Sequence, residues 1–167
     1  MASYRASITM ARTRAHVPAN FSDLSDIQDL FCGATDLATV SRRGWLSDVC
    51  GQLFEMYGLE PLAYLSRSAA VIESDAVRAA SDQLAQLIEK IRLDPDPLYT
   101  LTGQTAFPVD ELLANLQKPA NLAGPTRDEG DGDDVLYLAW FLRAHLAILE
   151  HAQTSGYVVL YGQTGEN

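Results

Sequence analysis

Few residues in this chain have the type and spacing to do chemistry, and its histidines come first: His16, His145 and His151. Imidazole is the side chain that titrates nearest neutrality. At helical spacing, His145 shares a face with Leu138, Phe141, Leu149 and Ala152. An imidazole buried on such a face needs a hydrogen-bond partner, and burial shifts its pKa. In a cleft, that combination makes a general base. Away from a cleft it makes a satisfied core histidine, which is the expectation here. An enzyme or ligand-binding alternative would place a pocket at His145, with Arg143, Tyr137 and Glu150 as the residues to inspect.

Metal chemistry finds little support. His145 and His151 enclose the segment His-Leu-Ala-Ile-Leu-Glu-His. This is neither the H-E-x-x-H nor the H-x-x-E-H zinc pattern, and six residues apart on a helix the two rings diverge. Asp128, Glu129, Asp131, Asp133 and Asp134 form the sharpest acidic cluster. A calcium loop needs acids at alternate positions, Gly at the sixth and Glu at the twelfth. With Gly132 sixth, the twelfth is Leu138; with Gly130 sixth, it is Leu136. Neither register works. Asp23, Asp26 and Asp29 recur every third residue, which fits carboxylates at the positive end of a helix. No metal and no cofactor is expected.

Other reactive constellations are also missing. No glycine-rich segment has the spacing that cradles phosphates. Ser66 and Ser68 flank Arg67 without the G-x-S-x-G context of an activated serine. Trp45, Phe54, Trp140 and Phe141 sit among aliphatics at helical spacing and read as core, not as base-stacking platforms. Cys32 and Cys50 are the only cysteines, too few for a disulfide framework, and both lie in apolar patterns.

Charge is the main compositional deviation. The formal net charge is −10, with Arg outnumbering Lys ten to two. Residues 94–134 hold nine acids against Lys118 and Arg127, whereas residues 1–22 hold three arginines and no acid. An acidic surface disfavours nucleic acid and anionic membranes, because phosphates need Lys and Arg. It suits a basic protein partner. The longest apolar stretch, Val135 to Leu149, is interrupted by Arg143 and His145 and is too short to span a bilayer. The acid-free start resembles a transit peptide in composition, but its period of two argues for a strand. A cytoplasmic location is expected.

The elements that must position these residues follow from periodicity. At one end, Tyr4, Ala6, Ile8 and Met10 alternate with Arg5, Ser7 and Thr9. At the other, Tyr157 to Tyr161 is a β-type run between Gly156 and Gly162. Between them the chain reads as helix. Ser25 and Gln28 fit a capping box ahead of Ile27, Leu30 and Phe31. Arg42–Tyr57 places its apolar residues on half a wheel, ending at Gly58. Pro61 fits the first turn of a helix through Leu62 and Leu65. Asp75–Arg92 carries a narrow stripe of Val77, Ala80, Leu84, Leu87, Ile88 and Ile91, and Asp94-Pro95-Asp96-Pro97 stops it. Leu98–Thr102 reads as a short strand and Pro108–Gln117 as a short helix. Residues 118–132 read as an exposed acidic loop. Asp133 or Asp134 then caps a helix to about Gln153, apolar almost all round, with Arg143 and Glu150 as its solvent edge. Residues 163–167 are expected to fray.

The pattern predicts a mainly α-helical α+β chain of 167 residues in one domain. Five to six helices should pack around a central C-terminal helix, with a small sheet pairing the terminal strands. The functional expectation is a non-enzymatic binding protein, an acidic inhibitor or immunity-type protein of bacterial character that neutralises a basic partner. Its contact carboxylates would be Asp128, Glu129, Asp131, Asp133 and Asp134, with Asp94, Asp96, Asp110 and Glu111 nearby. An oligomeric structural protein is a further alternative if Tyr157–Tyr161 lies at a sheet edge. The sequence does not fix the oligomeric state.

Overall fold

A computed structural model of the protein describes residues 3–21, 24, 40–43, 45–62, 64, 69–118 and 135–166. Their order is β1 (Ser3–Ala11), a 3-10 turn (Arg14–His16), β2 (Val40–Arg43), α1 (Trp45–Met56), β3 (Ala69–Ile72), α2 (Asp75–Leu93), α3 (Asp96–Thr102), α4 (Val109–Gln117), α5 (Val135–Ser155) and β4 (Val158–Glu166). The expected α+β architecture, mainly helical with terminal strands paired, is what forms.

The strands make one antiparallel sheet in the order β2-β1-β4-β3. β1 and β4 pair along their whole length, from Ser3 opposite Glu166 to Ala11 opposite Val158. Residues 163–166 are therefore ladder residues and not a frayed tail. β4 lies between β1 and β3, so the run Tyr157–Tyr161 does not form a sheet edge. The register also explains why that run does not alternate. Ile8 faces Tyr161 and Met10 faces Val159, and these four join the main core under the helices. Ala11 faces Val158, and with Leu160 they form a second core with Val17 and Leu24. β4 is covered on both faces, and a strand buried on both faces reads as a continuous apolar run.

α5 is the central helix. It packs on α2, α4 and α3 and on the sheet. Its buried residues include Leu138, Trp140, Phe141, Ala144, Ile148 and Leu149, spread around most of its circumference. α2 presents the expected stripe, joined by Ser81. Gly58 ends α1 in a left-handed conformation (φ 73°), with Leu59 N–H donating to the Phe54 carbonyl at 2.9 Å and Gly58 N–H to that of Glu55 at 3.0 Å. Gly156 does the same for α5 at φ 72°, where Tyr157 N–H reaches the Ala152 carbonyl at 3.0 Å. A residue with Cβ resists that backbone region, so these glycines set where both helices turn.

Several boundaries differ from expectation. Arg42 and Arg43 belong to β2, not to the following helix, because they pair with Ala6 and Arg5. Pro61 and Leu62 are irregular, and Leu65 lies outside the described residues. β3 carries no strong sequence signal, since Ala-Ala-Val-Ile is short and half alanine. Leu98–Thr102 is helical, not extended. Pro97 fits the first turn of α3, Leu98 and Tyr99 are buried, and the Thr102 hydroxyl donates to the Leu98 carbonyl at 3.0 Å. The proline pair still ends α2, because Asp94 is extended (φ −148°). The Ser25 capping box, its short helix, Asp23, Asp26, Asp29 and Cys32 lie outside the described residues.

Candidate functional site

α5 and β4 bring His145 and Tyr161 together. One turn apart on α5, Phe141 and His145 face β4, where the period of two points Tyr161 into the same core. His145 Nε2 lies 2.7 Å from Tyr161 Oη, and both residues are 1% exposed. The Phe141 ring meets the imidazole edge-on at 5.8 Å, and Tyr64 packs against Tyr161 with centroids 4.5 Å apart. Burial lowers the His145 pKa to about 3, so the ring is neutral at physiological pH. Burial, and then the neighbouring Tyr64, push the Tyr161 hydroxyl well above its ordinary value. This is a satisfied core histidine, not a general base open to substrate.

The other residues of the His145 alternative do not converge on it. Arg143 is buried, not at the solvent edge. Its Nη2 donates to Asn115 Oδ1 at 3.1 Å and its Nη1 to the Lys118 carbonyl at 3.2 Å, joining α5 to the end of α4. Tyr137 packs edge-on against Trp140 at 5.2 Å. Glu150 is exposed. His151 is also exposed, near Ser155 Oγ (3.5 Å) and the Tyr157 ring (5.9 Å). Among the described residues no group of three His, Cys, Asp or Glu is placed to hold a metal. Cys50 is buried, and burial pushes its thiol up to about 12, leaving no reactive thiolate.

Asp128, Glu129, Asp131, Asp133 and Asp134 lie outside the described residues. Val135, the next residue in the chain, donates its N–H to Gln104 Oε1 at 2.9 Å. α5 therefore begins beside the connection between α3 and α4. Asp110 and Glu111, in the first turn of α4, are exposed, as are Asp94 and Asp96 where α2 gives way to α3. Among the described residues the large exposed apolar side chains are Leu93 at 79%, Val109 at 43% and Met56 at 42%. Each is the chain neighbour of an acid: Asp94, Asp110 and Glu55 respectively.

Tyr57 ties two of these places together. Its hydroxyl donates to the Asp94 carbonyl at 2.5 Å, joining the end of α1 to the end of α2. Its pKa is raised chiefly by burial and further by the Asp94 and Asp96 carboxylates, against a backbone hydrogen bond from Leu98. Asp94 Oδ1 accepts from the Asp96 N–H at 3.3 Å.

A third feature has no signal in the sequence. Ser74 joins β3 to α2 at φ 49° and ψ −115°, the only non-glycine residue with positive φ among those described. Its side chain makes no capping bond. It lines a cleft of about 290 Å³ with Glu73, Asp75, Arg78, Gln153 and Tyr157. In sequence, Glu-Ser-Asp ahead of an apolar stripe looks like an ordinary helix start, and residue types alone do not reveal the backbone strain.

No protein-family model, curated protein or solved structure matches the chain.

Proposed function

We propose that the protein is a non-enzymatic binding protein that captures a basic protein partner, as an acidic inhibitor or immunity-type protein would, in the cytoplasm. One observation carries this reading. On a chain of net charge −10, every large exposed apolar residue among those described is the chain neighbour of an acidic residue. Exposed apolar residues alternating with exposed acids suit a partner surface that is apolar and cationic. Among the described residues no helix is long and apolar enough to cross a membrane.

The test is association with cellular proteins at low and high ionic strength. A basic partner should be recovered at low salt, with an on-rate that falls as salt rises. Changing Asp128, Glu129, Asp131, Asp133 and Asp134 to their amides should slow capture further. Binding indifferent to salt and to those changes would refute the electrostatic reading.

The cleft at Ser74 favours a second reading, a small-ligand site. Strained backbone tends to cluster where ligands bind. Ligand-induced thermal stabilisation that is present in the wild type and absent in Ser74→Ala would favour it over the first.

A further inference from the structure

We infer that the joint where α1 and α2 end and α3 begins is a docking surface for a cationic amphipathic peptide segment. Met56 and Leu93 would be its apolar anchors, and Glu55, Asp94 and Asp96 its acidic rim. The inference rests on the binding-protein reading and gives that reading a location and a partner chemistry.

Leu93 is no overflow of the core. α2 buries Leu84, Leu87, Ile88 and Ile91, and at 100° per residue position 93 falls outside that stripe. A single exposed leucine is ordinary on a protein surface. This one directly precedes Asp94, whose carbonyl is held by the Tyr57 hydroxyl, and Met56 directly precedes Tyr57. Two exposed apolar side chains thus flank one fixed link between two helix ends. The backbone there is already held, so binding has mainly the rotamer freedom of the two side chains left to restrict.

The electrostatics select the occupant. A helix carries about half a negative charge at its C-terminus. α1 and α2 both end at this joint, and α1 has no basic residue in its last turn to offset its own, while the half positive charge where α3 begins is met by Asp96 in its first turn. Asp94 and Asp96 add carboxylates beside Tyr57. On α2, Arg92 is paired with Glu89 at 2.8 Å, and Lys90 is the opposing charge. An anionic segment would meet repulsion. A purely apolar one would strip water from the carboxylates without replacing their hydrogen bonds. A segment bearing Lys or Arg beside Leu or Phe satisfies both parts.

The experiment uses the full chain and a synthetic amphipathic helix with a Leu face and a Lys face, followed by amide NMR shifts. Shifts should concentrate at residues 54–58 and 92–98. Leu93→Ser should weaken binding about tenfold, as loss of an anchor does. The pair Asp94→Asn and Asp96→Asn should weaken it similarly while keeping the Asp94 acceptor oxygen. Absent binding, shifts elsewhere, or variants that bind like the wild type would overturn the docking surface. Binding lost only when the acids at 128–134 are neutralised would also overturn it, yet leave the general acidic-binding reading standing.

Discussion

His145 makes a sharp prediction because its burial has a thermodynamic consequence. Its pKa falls from 6.5 to about 3 on folding. Between those values the unfolded chain binds the proton and the folded chain does not. Stability is therefore fully present above pH 6.5 and is lost as pH falls towards 3, by about 1.4 kcal/mol per pH unit. Between pH 7.5 and 5, urea unfolding of the wild type should lose about 2 kcal/mol from this group. His145→Gln removes the titration, so its stability should fall by that much less over the same interval. Equal pH dependence in the two proteins would show the imidazole to be solvated. Thr9 offers the opposite kind of test. It is 1% exposed, opposite Leu160, and its hydroxyl has no hydrogen-bond partner among the described residues. Thr9→Val should stabilise the protein by about 1 kcal/mol, read as a higher urea midpoint. His145 was legible from the wheel because its neighbours on the same helix define its face. Arg143 was not, because Asn115 and the Lys118 carbonyl, which hold it, lie on another element.

Among the elements, legibility followed length and periodicity. α2 has 19 residues and a stripe repeated over several turns, and it formed where the pattern put it. α3 has seven, and Leu-Tyr-Thr-Leu-Thr gave no period to separate a helix from a strand. Its helical state comes from Pro97 in the first turn and from burial of Leu98 and Tyr99, which is tertiary information. β3 is shorter still, and its pairing with β4 supplies what its composition lacks. The turn from β3 into α2 therefore carries the element-scale prediction. Ser74 occupies a region that costs a residue with Cβ about 1–3 kcal/mol. Glycine adopts it freely but loses about 0.5–1 kcal/mol more backbone entropy on folding. Ser74→Gly should thus raise stability by about 1 kcal/mol, or the melting temperature by roughly 2–4 °C. Ser74→Ala should not, because alanine keeps the Cβ. A Ser74→Gly protein that melts at or below the wild type would mean the turn is not strained.

At the scale of the whole molecule, the closing feature is the full-length ladder between the first and last strands. Sequence suggested it through two short β-type runs, but the last four paired residues, 163–166, carry no apolar pattern and looked like a tail. Backbone pairing does not need side-chain burial, so hydropathy is blind to it. The two readings make opposite predictions for a chain ending at Gly162. A frayed tail would be dispensable. A ladder in which Ser3 faces Glu166 and Ala6 faces Gln163 loses roughly four backbone hydrogen bonds, each contributing about 0.5–1.5 kcal/mol. Truncation should therefore cost about 2–6 kcal/mol in urea unfolding, and amides of Ser3–Ala6 should exchange faster. The same ladder couples both termini to the core beneath α5, because Ile8, Met10, Val159 and Tyr161 are central to each. Unfolding should then be a single transition with coincident fluorescence and circular dichroism midpoints, in the truncated chain as in the full one. An early, separate loss of sheet signal in the truncated chain alone would mean that β1 and β4 hold the termini without sharing the stability of the helices.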